Sequence, residues 1–176
     1  MKLVLYNDAG DILEIIENCG VVKYDADTKT LRYQGGELWP YTGRYAVLND
    51  DEEVTAEVIL EHYKRERIEE FNQLCEATIK DGFEHNGRWY GFDEHDQDNF
   101  TQMYLLLISR PEVVQEPIRW KTKNAGVVEL THEEFIEVCL AAENHKRRLI
   151  EKYWGLEEQI KTAGTFFELK SMRWEA

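Results

Sequence analysis

The sequence predicts an α+β fold, and three observations predict it. Short apolar runs of period two occupy roughly the first fifty positions, two tight-turn signatures stand at Asn86-Gly87 and at Lys123 to Gly126, and three stretches carry apolar residues at helical spacing. Together they describe a small N-terminal antiparallel β domain over 1–50, a bridging helix over 51–81, and an α+β domain over 82–176 in which two β-hairpins pack on helices.

Strands are expected at Lys2 to Tyr6, Ile12 to Glu17, Val21 to Tyr24, Leu31 to Tyr33 and Tyr45 to Leu48, with turns at Asn7-Asp8-Ala9-Gly10 and Asp25-Ala26-Asp27. Gly35 to Gly43 reads as a loop holding two large aromatics, Trp39 and Tyr41. Such a loop either tucks onto the sheet, the reading placed first, or is offered to a partner.

The acidic run Asn49 to Glu53 marks a border, and a helix is expected from Thr55 to Asp81. Val58, Ile59 and Tyr63 form one apolar patch on it. Ile68, Phe71, Leu74, Cys75, Thr78 and Ile79 form another, and the charged residues between them read as a solvated waist. A helix anchored at both ends in this way bridges two packed units, with Gly82 as its stop; the rival reading is a coiled-coil seam facing a partner.

Asn86-Gly87 between apolar runs predicts a hairpin with a type I′ turn, heavy in aromatics at Phe83, Trp89, Tyr90 and Phe92. Asp93, Asp96 or Asp98 caps the helix that follows. Its apolar face is Phe100, Met103, Tyr104, Leu106 and Leu107, and Pro111 ends it. A second hairpin spans Ile118 to Leu130, with Trp120 pointed inward between Arg119 and Lys121. Thr131 with Glu134 makes a capping box for a helix from His132 to Thr162, inside which Gly155 permits a kink or a close contact. Thr165 to Leu169 reads as a short strand.

The order of these marks resembles a domain family of unknown function that recurs in tailed-phage tail and baseplate-associated proteins. The marks are an aromatic strand before Asn86-Gly87, a strand closed by Asp93, a helix with Asp98-Asn99, Trp120 before the polar turn Lys123-Asn124, a strand into Thr131, and a helix ending near Lys161. The resemblance covers about residues 60–164 and leaves out Phe166 to Leu169. It implies a setting, a virion tail protein made in the host cytoplasm, and other tail or baseplate proteins as partners. It supplies no active site.

Chemistry finds little footing in the residues. Asp93, Glu94, His95, Asp96 and Asp98, with His85 nearby, lack the glycine and distant glutamate of a calcium loop and read as helix-capping acids. His132 and His145 lack ligand spacing, Gly35-Gly36 leads to no phosphate-binding lysine, and there is no nucleophile elbow. Cys19, Cys75 and Cys139 are an odd, dispersed set that reads as reduced, with Cys75 and Cys139 as small core residues. No catalytic residue, metal or cofactor is therefore assigned.

A formal charge of -14, from 35 Asp and Glu against 21 Lys and Arg, opposes nucleic acid as a ligand, and no apolar stretch is long enough for a membrane. The expectation is a non-enzymatic tail or baseplate structural or adaptor protein acting through protein contacts, with Trp39, Tyr41 and Tyr63 as candidate partner-binding residues and homo-oligomerisation open. The alternative is a tail-fibre assembly chaperone, or an acidic accessory protein that binds and inhibits a host protein. If the border is drawn correctly, limited proteolysis cuts first between Leu48 and Val54. Resistance there, with early cutting between Gly82 and Leu130, would remove the division.

Overall fold

Strand β1 (Lys2–Tyr6) lies between β2 (Ile12–Ile16) and β6 (Arg44–Leu48), antiparallel to both. Leu3, Val4 and Tyr6 have no exposed surface and Leu5 has 6%. A central strand covered on both faces needs apolar residues at consecutive positions, which is why Leu3 to Tyr6 breaks alternation. The computed structural model describes residues 1–175. Its contacts fall into two units, Met1–Glu69 with Glu158–Arg173, and Glu70–Glu157 with Trp174 and Glu175. Boundaries drawn from composition at 50 and 81 differ from this division, which falls inside two long helices.

In the first unit, Leu3 and Leu5 pack with Cys19 and Leu31 against a second antiparallel sheet ordered β3 (Lys23–Asp25), β4 (Thr30–Tyr33), β5 (Gly36–Leu38). β5 replaces part of the expected aromatic loop. Its register places Leu38 opposite Leu31 and Glu37 opposite Arg32, with the latter pair bonded at 3.3 Å, so three residues suffice for a strand. The other face of the first sheet is covered by the beginning of α1 (Ala56–Asp81) and by α4 (Phe166–Ser171). There the Phe166 ring meets Tyr6 at 6.2 Å and stacks on Tyr63 at 5.5 Å.

α4 corrects the strand expected at Thr165 to Leu169. Thr165 accepts a hydrogen bond from the Glu168 amide, and Glu168 returns one from the Thr165 amide, a reciprocal cap that commits the segment to a helix. Phe166 and Leu169, three apart, then share the buried face. The charged waist of α1 is also drier than expected, since Arg67 is 8% exposed and donates to the Met172 carbonyl at 2.9 Å.

The second unit gathers aromatic rings. α1 contributes Cys75 and Ile79 and ends at Asp81, whose carbonyl accepts from the Trp89 indole at 3.0 Å and the Lys123 ammonium at 2.6 Å. Gly82 follows at φ +97°, in a place where a Cβ would lie 2.0 Å from the Tyr90 carbonyl oxygen, so only glycine fits the reversal. The hairpin of β7 (Phe83–His85) and β8 (Arg88–Tyr90) turns at Asn86 and Gly87, both at positive φ as a type I′ turn demands. The polar turn after β9 (Ile118–Thr122) clasps it: the Lys123 amide donates to the Trp89 carbonyl, and Asn124 accepts from the Trp89 amide, each at 2.8 Å.

α2 (Glu94–Ser109) starts at Asp93, which accepts from the Asp96 amide, and stops before a 3-10 turn at Pro111–Val113. β10 (Gly126–Leu130) pairs with β9, and the Thr131 to Glu134 capping box opens α3 (His132–Thr162). Gly155 has open space around it and makes no close contact. Phe83 sits on Tyr90 at 5.5 Å and on Phe92 at 5.6 Å, while Phe100 meets Trp120 at 4.4 Å and Phe135 at 5.9 Å.

Trp120 is half-buried at the edge of this cluster, with its ring also 5.2 Å from Phe135. Trp120→Ala is expected to cost about 3 kcal/mol, the lower end for emptying a large aromatic site. A urea titration followed by circular dichroism reads this directly, and an unchanged midpoint would take Trp120 out of the core.

Candidate functional site

The residues singled out for partner contact separate sharply once placed. Trp39, just past β5, is 71% exposed. Tyr41 is half-buried; its hydroxyl donates to the Arg44 carbonyl, its ring meets Tyr45 edge-on at 6.3 Å, and burial pushes its phenol up to about 12. Tyr63 is 1% exposed, stacked on Phe166, with the Arg44 guanidinium 4.2 Å above its ring. A ring sealed on both faces has no surface for a partner, which removes Tyr63; Trp39 stands fully outward and Tyr41 keeps part of its surface exposed.

Around Tyr63 the first unit carries a chain of charges. Asp8, in the turn after β1, accepts from Lys170 of α4 at 2.7 Å and from Arg44 of β6 at 3.0 Å, and Arg44 lies 3.8 Å from Glu66 of α1. The Tyr6 hydroxyl reaches Glu66 at 3.4 Å, and burial, with the Glu66 charge, raises its phenol above the ordinary range. Opposite charges alternate along this chain and tie four elements together. Beside it opens a cleft of about 930 Å³ whose lining includes Leu60, Phe166 and Phe167. Phe167 is 81% exposed at its rim.

The acid cluster of the second unit is built for capping. Asp93 holds the N-cap of α2 and Glu94 pairs with Lys80 at 3.1 Å, so these acids oppose the positive end of the helix. Among the described residues no three His, Cys, Asp or Glu side chains are placed to hold a metal ion. Cys75 is buried and donates to the Leu149 carbonyl at 3.5 Å, and burial pushes the half-buried Cys139 thiol up to about 12, which keeps it protonated and a poor nucleophile.

The feature that stands out is the C-terminal half of α2. Met103 to Ile108 are apolar on every side of the helix, yet only Leu107 is buried there, with Phe100 two turns earlier. Leu105 is 55% exposed, Leu106 40% and Ile108 56%, and Leu140 on α3 is 55% exposed. Helices apolar all round are normally enclosed, so this one presents a surface that a partner would cover. Leu105, Ile108 and Leu140 were not singled out from sequence. The available signal was the unbroken run from Met103 to Ile108, too wide for one core-facing stripe.

A groove of about 300 Å³ runs between α2 and α3, with Phe92, Phe100, Tyr104, Leu105, Cys139 and Leu140 in its walls and Gln97, Glu143 and Lys146 at its polar end. On the other side of α2 a second depression of about 410 Å³ is lined by Met103, Leu106 and Trp120, with Arg119 and Lys121. Among the described residues no helix is long and apolar enough to cross a membrane.

A family model described as "Domain of unknown function (DUF4376)" matches residues 62–171, a span that holds most of the second unit and, past the limit expected at 164, also α4. No curated protein and no solved structure matches the chain.

The charge chain of the first unit has a pH signature. Hydrogen bonds from Lys170 first, then Arg44, hold the Asp8 carboxyl below its ordinary value. A carboxyl depressed in the folded state contributes stability above its unfolded value near 3.8, and that contribution is lost as pH falls through the folded value. Asp8→Asn should therefore lower the melting temperature slightly at neutral pH and flatten the loss on acidification below about pH 4, as read from melts at stepped pH. An identical acid limb in both proteins would remove Asp8 from the linkage.

Proposed function

Since the chain belongs to the DUF4376 family, whose description states no activity, we propose its role from its own surfaces: it acts by contact with other proteins, without catalysis, as a structural or adaptor protein associated with bacteriophage tails or baseplates. The observation that carries the contact reading is the exposed apolar helix α2, which lies within the family-matched span. The phage setting rests on the resemblance of the spaced marks from Asn86-Gly87 through Trp120 to Thr131.

The partners favoured by this reading are proteins. A net charge of -14 works against phosphate backbones, whereas leucine and isoleucine side chains at half exposure gain most from an apolar protein surface. Full burial of such a side chain contributes about 1.5 to 3 kcal/mol, so completing the burial of Leu105, Leu106, Ile108 and Leu140 adds a few kcal/mol before the costs of association. The acid surplus also favours a second reading, an accessory protein that occupies a basic host surface and stays outside the particle.

Quantitative mass spectrometry of purified particles and of the particle-free infected cell decides between these. The tail reading expects the chain in particles at fixed stoichiometry to the tail proteins. Its confinement to the particle-free fraction would overturn that reading in favour of the accessory one.

A further inference from the structure

We propose that the nook between the β7–β8 hairpin and the first turns of α3 binds one structural water molecule, held between the Tyr90 hydroxyl and the Glu137 carboxylate. The site lies within the second unit and is independent of the contact surface argued above.

The hydroxyl calls for a partner. Tyr90 has no exposed surface, and its side-chain oxygen is buried without a hydrogen bond to any described residue. Its ring lies nearly parallel to that of Phe83, 5.5 Å away, so the side chain is not free to swing the hydroxyl outward. A tyrosine hydroxyl taken out of water and left unpaired costs free energy, which is why buried ones are bonded either to protein or to ordered water.

Space and lining identify the partner. Antiparallel register sets Phe83 opposite Tyr90 and His85 opposite Arg88, so all four side chains share one face of the hairpin, the face turned to α3. Between that face and α3 lies a nook of about 20 Å³, with Tyr90 in one wall and Glu134 and Glu137 in the other. A water needs about 10 to 15 Å³, so the nook takes one and is too small for any organic ligand. Leu130 and Val138 add apolar surface, but only a wholly apolar cavity stays dry.

The polar groups fit a water better than a cation, since among the described residues no three His, Cys, Asp or Glu side chains are placed to hold a metal ion. Glu134 already accepts from the Thr131 amide at 2.8 Å, whereas Glu137, one turn further on and half-buried, has no partner among the described residues. A water that accepts from Tyr90 and donates to Glu137 satisfies both. His85, also in the lining, supplies a further donor: the Asn86 amide nitrogen lies 3.2 Å from its Nε2, which must then accept, and this leaves Nδ1 to donate. The bridge joins β8 to the start of α3 at the edge of the aromatic cluster.

A high-resolution crystal structure of the full chain tests the site, together with urea titrations of variants. The density is expected to show one ordered water about 2.8 Å from the Tyr90 hydroxyl and within hydrogen-bonding reach of the Glu137 carboxylate. A dry nook, a cation in place of the water, or a Tyr90 hydroxyl bonded directly to protein would each overturn the assignment. Tyr90→Phe keeps the ring and removes only the hydroxyl, so the sign of its effect is informative. Its urea midpoint should fall below that of the natural sequence, since a bonded group is lost, and in a Glu137→Ala background the same change should cost no more than half as much. Glu137→Gln keeps an acceptor oxygen and should leave the effect of Tyr90→Phe intact. A raised or unchanged midpoint for Tyr90→Phe marks an unpaired hydroxyl, and an equal loss in the Glu137→Ala background marks one paired elsewhere; either result overturns the bridge.

Discussion

The second unit depends on the reversal at Gly82. Here a helix of 26 residues ends and the chain must turn back at once, because the next residue, Phe83, is the ring on which Tyr90, Phe92, Phe100 and His145 all converge. The constraint is steric before it is energetic. A Cβ at Gly82 would collide with the Tyr90 carbonyl oxygen, which belongs to the strand returning from the hairpin. The same point is secured by polar bonds, since the last helix carbonyl is taken up by Trp89 and Lys123 from two different hairpins. The aromatic cluster and the end of α1 therefore meet at one backbone position.

Much of this was legible because the signals are local. Asn86-Gly87 specifies its turn through positive φ alone, and Thr131 with Glu134 specifies a helix start through two hydrogen bonds within four residues. The same rule, Thr165 with Glu168, was present at α4, a segment read as a strand; the cap decided it. β5 was hidden for the opposite reason, because its three residues have no pattern of their own and gain a partner only through Leu31 and Arg32 of β4. The burial of Arg67 depends on the carbonyl of Met172, 105 residues away, and Tyr63 is sealed by Phe166 from the far end of the chain. No window of sequence contains those contacts.

The candidate surface was legible only in part. The apolar run of α2 could be read, but which of its side chains remain outside depends on how far α3 and β9 cover it. The structure resolves the run into Leu107 within, Tyr104 and Met103 at the margins, and Leu105, Leu106 and Ile108 without. For Trp39 the sequence left two readings, and its exposure follows from Tyr41, two residues on, taking the position against the sheet. In both places a crowded apolar stretch supplies one set of side chains to the core and leaves the other outward.

The first unit is assembled from two stretches of chain separated by 88 residues, 70–157, that belong to the other unit. A ribosome adding roughly 5 to 20 residues per second needs several seconds to pass from Glu69 to Glu158. Through that interval the face of the N-terminal sheet that carries Tyr6 has emerged while Phe166 and Leu169 have not yet been made, so part of its cover does not exist. The intervening stretch, contiguous in sequence, has its own hairpins and helices complete before then. Synthesis thus imposes an order on the two cores that refolding from denaturant does not, and leaves a nascent apolar sheet in need of protection until the last helix arrives.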